Sequence, residues 1–247
     1  FAMLLASDNL PTKDEHDVRL CISAGEPLPS DLLARWQGTF GVDILDGLGT
    51  TEMLHIFVSN RPDEITPGST GRVVPGYQIR LINDNNDVCA PGEMGVLEVS
   101  GPSSALMYWG QRQKTKDTFK GTWTRTGDNY SISEKGVMTY GGRNDDMLKV
   151  GGIYVSPFEV EAALIKHEAV LEAAVVGNND QDGLVKPKGF IVLNKNFIGS
   201  DELASELINF VKTNLAEYKY PRWIEFLDEL PKTATGKIQR FKLRTAS

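Results

Sequence analysis

The sequence predicts an α/β region followed by a smaller α+β region, on three observations. First, "VRLCISA", "PSDLLARWQGTF" and "GVDILDGLGTTE" read in order as strand, helix, and strand running into a glycine-rich turn, the alternation of an α/β layer. Second, the texture changes from about residue 69: "YQIRLI", the Asn/Asp-rich turn 83–87, "GVLEVSG" and "GVMTYGG" read as antiparallel strands, so 69–141 is expected to form a small β-rich subdomain. Third, "GRNDDMLKVGG" at 142–152 is polar and glycine-bounded, a linker by composition. The tail beyond it, 153–247, has its own strands and helices at the size of a common domain.

Each element has a local reason. In the first helix Ser30 is the candidate N-cap before the apolar residues. At "VSPFEVEAALIKH" Ser156 is the N-cap, Pro157 takes the first helical position and Glu159 the third, a capping box ahead of apolar residues at helical spacing. "EAAVVG" and "KGFIVLN" then read as strands, "SDELASELINFVKTNL" as an amphipathic helix, and "RWIEFL" as a last strand before the loop "PKTATGK".

Composition narrows the function classes. The 247 residues are 40% hydrophobic and 24% charged, as in globular proteins with a real core. With 26 Lys and Arg against 33 Asp and Glu, the net charge is -7, which argues against general nucleic-acid binding. The C-terminal end is locally basic: Lys219, Arg222, Lys232, Lys237, Arg240, Lys242 and Arg244 face only Glu225, Asp228 and Glu229, a balance suited to a small anionic ligand. Cys21 and Cys89 stand far apart with no CxxC spacing, which gives neither a disulfide framework nor a zinc site and makes a reducing cytoplasm the expected location. No apolar run approaches the ~20 residues of a membrane span.

Two common nucleotide motifs fail on spacing. A P-loop ending at Gly236-Lys237 needs glycine at 231 and Ser or Thr at 238, where the chain has Pro231 and Ile238. A dinucleotide GxGxxG starting at Gly47 and Gly49 meets Glu52. What remains is an ordered set of polar motifs: "SAGEPLP" (23–29), "DGLGTTE" (46–52), "RTGD" (125–128), "GRNDDMLKVGG" and "PKTATGK". This set resembles the adenylate-forming superfamily of acyl-CoA synthetases, luciferases and peptide-synthetase adenylation domains. Through "DGLGTTEMLHIF" it resembles above all the benzoate- and other aryl-CoA ligases.

The resemblance implies a fold, a reaction and roles. Residues 1–141 correspond to the C-terminal part of a large adenylation domain, 142–152 to the hinge and linker, and 153–247 to a small mobile C-terminal domain. A carboxylate would attack the α-phosphate of ATP to give acyl-AMP and pyrophosphate, and the thiol of coenzyme A would then displace AMP. Lys237 matches the cation placed where the two anions meet, which offsets their repulsion and the charge of the transition state. Thr51 matches the hydroxyl on phosphate and Glu52 the carboxylate that holds Mg²⁺, a hard cation preferring oxygen. Ala24, Gly25, Glu26, Asp46 and Gly47 match the adenine-binding stretches. The aromatic that many relatives carry at position 48 is Leu48 here, so stacking on adenine from that side chain is absent.

Asp128 matches the aspartate that accepts both ribose hydroxyls, and Arg143 an arginine that also reaches the nucleotide. Asp145 matches the residue about which the tail domain turns between the half-reactions. Lys149, Gly151 and Gly152 match the segment that enters the site for thioester formation, where glycine lets pantetheine pass close to backbone. His55 falls in the stretch that lines the acyl pocket of aryl-CoA ligases, whereas His16 and His167 have no motif support.

The family's Ser/Thr/Gly-rich phosphate-binding loop is expected well upstream of "SAGEPLP", and nothing in residues 1–22 resembles it. The chain is therefore expected to be the C-terminal portion of a longer ligase, with the N-terminal half of the same enzyme as its partner and little full turnover alone. Two other readings stay open: a non-catalytic nucleotide- or CoA-binding module, and an adenylation domain that loads a carrier protein in place of CoA.

Overall fold

The computed structural model describes residues 1–5, 7, 9–233 and 236–244. It divides into two compact units, Phe1–Tyr140 and Gly141–Ser247. The first opens with a short helix α1 (Ala2–Leu5), then β1 (Cys21–Ala24), α2 (Ser30–Phe40), β2 (Ile44–Gly49), β3 (Ile56–Ser59) and β4 (Arg72–Val73). These four strands form one sheet in chain order, with β1 parallel to β2 and the other pairs antiparallel. Helix α2 buries Leu33, Trp36 and Phe40, spaced to fall on one face, in a cluster with Ile44 of β2. Its N-cap is Pro29, with no side-chain cap. Ser30 is the first helical residue, so the expected cap lies one position too late and the helix starts without a capping hydroxyl.

The second sheet holds β5 (Gln78–Ile82), β6 (Met94–Ser100), β7 (Phe119–Lys120), β8 (Trp123–Ile132) and β9 (Met138–Arg143), in the order β5-β6-β8-β7 with β9 also on β8. Helix α3 (Arg112–Thr118) leads into β7. The three strands expected from "YQIRLI", "GVLEVSG" and "GVMTYGG" are β5, β6 and β9. Their sheet begins at Gln78 and not at 69, because the residues around Arg72 pair with β3 in the first sheet. One core cluster joins the two sheets: Met53, Phe57 and Val58 pack with Leu81, Leu97, Val99, Tyr130 and Met138.

The second unit contains β10 (Leu148–Val150), β11 (Ile153–Val155), α4 (Pro157–Ile165), β12 (Val170–Asn179), β13 (Val185–Leu193), α5 (Asp201–Asn214), β14 (Trp223–Phe226) and α6 (Arg240–Arg244). Strand β13 lies between antiparallel β12 and parallel β14. Alternation along β12 buries both of its faces. Ala173 and Val175 join Val160, Leu164, Leu207 and Val211 from α4 and α5, whereas Ala174 and Val176 join Phe190, Leu230 and Leu243 of α6.

The start of α4 is as expected in part. Ser156 Oγ accepts from Glu159 N at 3.3 Å and Pro157 opens the helix. The Glu159 carboxylate, however, is held by Lys219 Nζ at 2.6 and 2.7 Å, so the reciprocal half of the capping box gives way to an ion pair. Helix α5 is capped by Ser200, whose Oγ accepts from Leu203 N at 3.2 Å. No helix among the described residues is long and apolar enough to cross a membrane.

One ion pair anchors the end of the second unit. Arg240 contacts both carboxylate oxygens of Glu161 at 2.8 to 3.2 Å, with the two side chains 10% and 6% exposed. Burial pushes the Glu161 carboxyl up, opposed by the Arg240 guanidinium and by the N–H of Val175, which donates to it at 2.7 Å. Removing either partner leaves a buried charge alone, at a cost of about 3–5 kcal/mol. Arg240→Ala is expected to lower the unfolding free energy of the second unit by that order in urea titrations, with Arg240→Ala/Glu161→Ala costing less than the sum of the single changes. Strict additivity would show that the pair is not coupled.

Candidate functional site

The parallel register of β1 and β2 sets Ser23 beside Asp46 and Ala24 beside Gly47. Two chain exits therefore leave the sheet from the same, carboxyl edge, the edge at which open α/β sheets bind ligands. From β1 the chain leaves through Gly25 at φ 94° to the exposed Glu26. From β2 it passes into the 3₁₀ turn Thr51–Met53. The turn folds back tightly: a Cβ on Gly49 would sit 2.7 Å from the carbonyl oxygen of His55, so only glycine fits. Beyond the turn, Leu54 adopts φ 67° and ψ -43°, strained for an L side chain, and its N–H bonds Thr51 O at 3.3 Å. Backbone strain of this kind concentrates at functional sites.

Two buried polar atoms in this motif have no protein partner among the described residues, Asp46 Oδ1 and Thr50 Oγ1. Buried polar groups are almost always paired with protein or ordered water, so each leaves a bonding position for water or a ligand group. Burial raises the Asp46 carboxyl to about 7, with the backbone N–H groups of Leu28 and Gly47 opposing. Thr51 and His55 are exposed and Glu52 half-buried. Tyr108 Oη donates a hydrogen bond to Glu52 Oε1. Leu48 packs against the core cluster between the sheets.

Asp128 reaches the same region by another route. In β8 the register jumps from Arg125 opposite Glu98 to Asn129 opposite Val96, so Thr126, Gly127 and Asp128 face Leu97 alone. This is a β-bulge, with Gly127 at φ 77° and Thr126 Oγ1 bridging Leu97 O and Asp128 N at 3.1 Å each. Bulges re-aim side chains next to sites. The "RTGD" motif is thus strand and bulge. Asp128 is 7% exposed. Burial pushes the Tyr130 phenol well up, and both Asp128 and Asp46 raise it further, so both carboxylates lie within electrostatic reach of one phenol. Strand β8 also packs on the Thr51–Met53 turn.

Among the described residues no cluster of three or more His, Cys, Asp or Glu could hold a metal on its own. The half-buried Glu52 has one oxygen, Oε1, engaged by Tyr108, and its other oxygen would suit a magnesium ion that takes its remaining ligands from phosphate and water, the usual habit of Mg²⁺.

The remaining predicted residues belong to the second unit. Arg143 Nε lies 3.4 Å from Asp145 Oδ1, and Arg143 O accepts from the N–H groups of Asp146 and Met147 at 3.0 Å each. That turn is tied to α6 by Arg244, which contacts Asp145 O at 3.4 Å and the Asp146 carboxylate. Lys149 and the two glycines form a hairpin: Lys149 pairs with Tyr154, its Nζ 5.5 Å from the ring centroid. Gly151 and Gly152 at φ 57° and 85° make the two-residue turn that requires positive φ twice. A Cβ at either glycine would meet nothing within 4 Å, so the turn's geometry accounts for both, and its space is open.

Lys237 closes a second hairpin. Lys232 bridges Ile238, Thr233 N donates to Lys237 O at 2.8 Å and Lys237 N to Thr233 Oγ1 at 3.1 Å. The lysine itself is exposed. Ala234 and Thr235 of the motif lie outside the described residues. Sequence reasoning misses the anchors of this loop, Arg240 and Glu161, although a glutamate among the apolar residues of "VEAALI" is a signal of a buried charge. It also misses Tyr108.

Residues 1–109 match the AMP-binding enzyme family, and residues 159–237 match the AMP-binding enzyme C-terminal domain. The chain belongs to the AMP-binding enzymes. It is 58% identical over its whole length to a benzoate–CoA ligase of Thauera aromatica, covering 47% of that protein. Among solved structures it is similar to a benzoate CoA ligase from Burkholderia xenovorans LB400, at 54% identity and a TM-score of 0.92 over 98% of this chain and 49% of that one. It is also similar to an anthranilate CoA ligase in complex with anthranoyl-AMP, at 49% identity and a TM-score of 0.92 over 99% and 48%. The chain spans about half the length of the relatives it matches.

The raised Asp46 carboxyl gives a signed test. A native state that holds its proton to about pH 7, while the unfolded chain releases it near pH 4, is most stabilised by this group below pH 4 and loses that contribution as the pH rises through 7. The loss is on the order of 4 kcal/mol. Asp46→Asn cannot titrate, so the variant is expected to gain stability relative to the parent between pH 4 and pH 8 in urea titrations. Parallel pH profiles would contradict the assignment.

Proposed function

We propose that the protein carrying this chain is an ATP-dependent acid–thiol ligase that activates an aromatic carboxylic acid of the benzoate kind and transfers it to coenzyme A. The observation that carries the reading is the edge of the first sheet, where Asp46 Oδ1 and Thr50 Oγ1 stand buried without partners among the described residues beside a motif turn that only glycine permits. The relatives' names supply the chemistry: benzoate and coenzyme A for one, anthranoyl-AMP for another. With coenzyme A named in both ligases, a small thiol is favoured over a carrier protein as the acceptor, and the exposed Lys237 favours an enzyme over a binding module.

In this reading a carboxylate oxygen attacks the α-phosphorus of ATP as the bond to the bridging oxygen breaks and pyrophosphate leaves. The thiol sulfur of coenzyme A then attacks the acyl carbon, losing its proton, and AMP leaves with the electron pair of the broken carbon–oxygen bond. Lys237 offsets the charge of the first transition state. Thr51 donates to phosphate, and Glu52 would hold a Mg²⁺, which would supply positive charge at the phosphates. Ala24, Gly25, Glu26, Asp46 and Gly47 border adenine, Asp128 takes the ribose hydroxyls, Arg143 is the second unit's group for the nucleotide, and His55 faces the acyl group. Residues 142–152 act as a hinge turning at Asp145 between the half-reactions, bringing Lys149, Gly151 and Gly152 to the pantetheine. The boundary between the compact units at 140/141, next to the Arg143–Met147 turn, supports that placement.

The test uses the full-length protein with ATP, coenzyme A and a panel of carboxylic acids. Benzoate or a close aryl acid is expected to give aryl-CoA, AMP and pyrophosphate in equal amounts. Lys237→Ala is expected to slow adenylation at least ~10²- to 10³-fold while thioester still forms from supplied acyl adenylate. Release of ADP and phosphate, or equal damage to both half-reactions, would contradict the proposal.

A further inference from the structure

We propose that Tyr108 is a positioning residue that holds Glu52 as a one-oxygen ligand for its cation. The inference rests on the reading of Glu52 given above. The segment 103–108 grips the Glu52 turn at three points: Ala105 N donates to Glu52 O at 2.7 Å, Ser103 Oγ donates to Met53 O at 2.7 Å, and Tyr108 Oη donates to Glu52 Oε1. Backbone and side chain of one residue are thus fixed by a single short segment some fifty residues away in sequence.

Tyr108 is itself held on several sides. Its N–H donates to Thr115 Oγ1 at 3.1 Å, its ring lies 5.5 Å from that of Phe119, and Lys114 Nζ stands 4.2 Å over the ring. The residues around it are not buried for their own sake: Leu106 is 89% and Trp109 90% exposed. What the segment does with Tyr108 is point a hydroxyl at a half-buried carboxylate on a turn exposed to ligand.

A free carboxylate has two oxygens and can bind a cation through one or both. With Oε1 accepting the Tyr108 hydroxyl, the other oxygen is left for the ion. Ligating carboxylates elsewhere are oriented by hydrogen bonds of this kind, and losing such a partner typically costs 10- to 100-fold in metal affinity. A tyrosine that merely staples the loop would affect folding and leave ion affinity alone.

The experiment measures equilibrium binding of Mn²⁺, as a probe for Mg²⁺, to the full-length protein saturated with a non-hydrolysable ATP analogue, alongside thermal unfolding. Tyr108→Phe is expected to weaken Mn²⁺ binding 10- to 100-fold with metal-free analogue affinity within about twofold of the parent. Glu52→Gln serves as the reference, and Glu52→Gln/Tyr108→Phe is expected to be no weaker than Glu52→Gln alone. If Glu52→Gln weakens Mn²⁺ but Tyr108→Phe only lowers the unfolding midpoint, Tyr108 is a staple and this inference falls alone. If Glu52→Gln leaves Mn²⁺ affinity unchanged, the reading of Glu52 fails and the inference with it.

Discussion

The close passage of Gly49 under His55 is the constraint on which the first unit's site depends. Parallel pairing of β1 with β2 brings the two motif exits to one edge, but pairing alone would let the second exit run on into solvent. Because the backbone at 49 can lie against the backbone at 55, the chain reverses within the Thr51–Met53 turn and returns as β3. The strained Leu54 lies at the end of that reversal, and Thr50, whose buried Oγ1 has no partner among the described residues, stands at its start. The turn closes on its own hydrogen bonds, Met53 N to Thr50 O and Leu54 N to Thr51 O, and on those from Ser103 and Ala105.

The second unit solves a different problem, the placement of a long flexible cation. Lys237 lies at the end of a small hairpin whose bonds come from Lys232, Thr233, Gln239 and Pro231. The hairpin is fastened to the body from both sides. Lys232 pairs with Glu172 of β12 at 2.6 Å, and Arg240 with Glu161 of α4, its guanidinium 4.2 Å from the ring centre of Phe158. Through Arg244 the same α6 also reaches the Asp145–Asp146 turn. The loop with the lysine and the turn at the unit boundary therefore share one short helix.

Much of this was legible in the sequence. The strand, helix and strand order, the antiparallel runs and the Ser156–Pro157 start follow from periodicity and caps, which are local. Ser30 falls one position inside the helix because a cap is decided by one dihedral pair, here at Pro29, not by residue type alone. Glu159 was expected to complete a cap, but Lys219, sixty residues away, outcompetes the local partner. The bulge at Asp128 depends on the register against β6, and Tyr108 and the Glu161–Arg240 pair are long-range contacts. Spacing in a single chain carries no sign of either beyond a charge in an apolar helix.

The most direct test of the account is the nucleotide affinity of the full-length protein with Gly49→Ala, measured against Gly38→Ala. Gly38 lies in α2 with open space around it, where alanine costs nothing and stabilises the helix by about 0.5–1 kcal/mol. At Gly49 the added methyl would meet the His55 carbonyl and push the Thr51–Met53 turn off its return path. The account predicts a folded Gly49→Ala protein with ATP affinity reduced at least tenfold, and Gly38→Ala within twofold of the parent. Wild-type ATP affinity in a folded Gly49→Ala protein would contradict it.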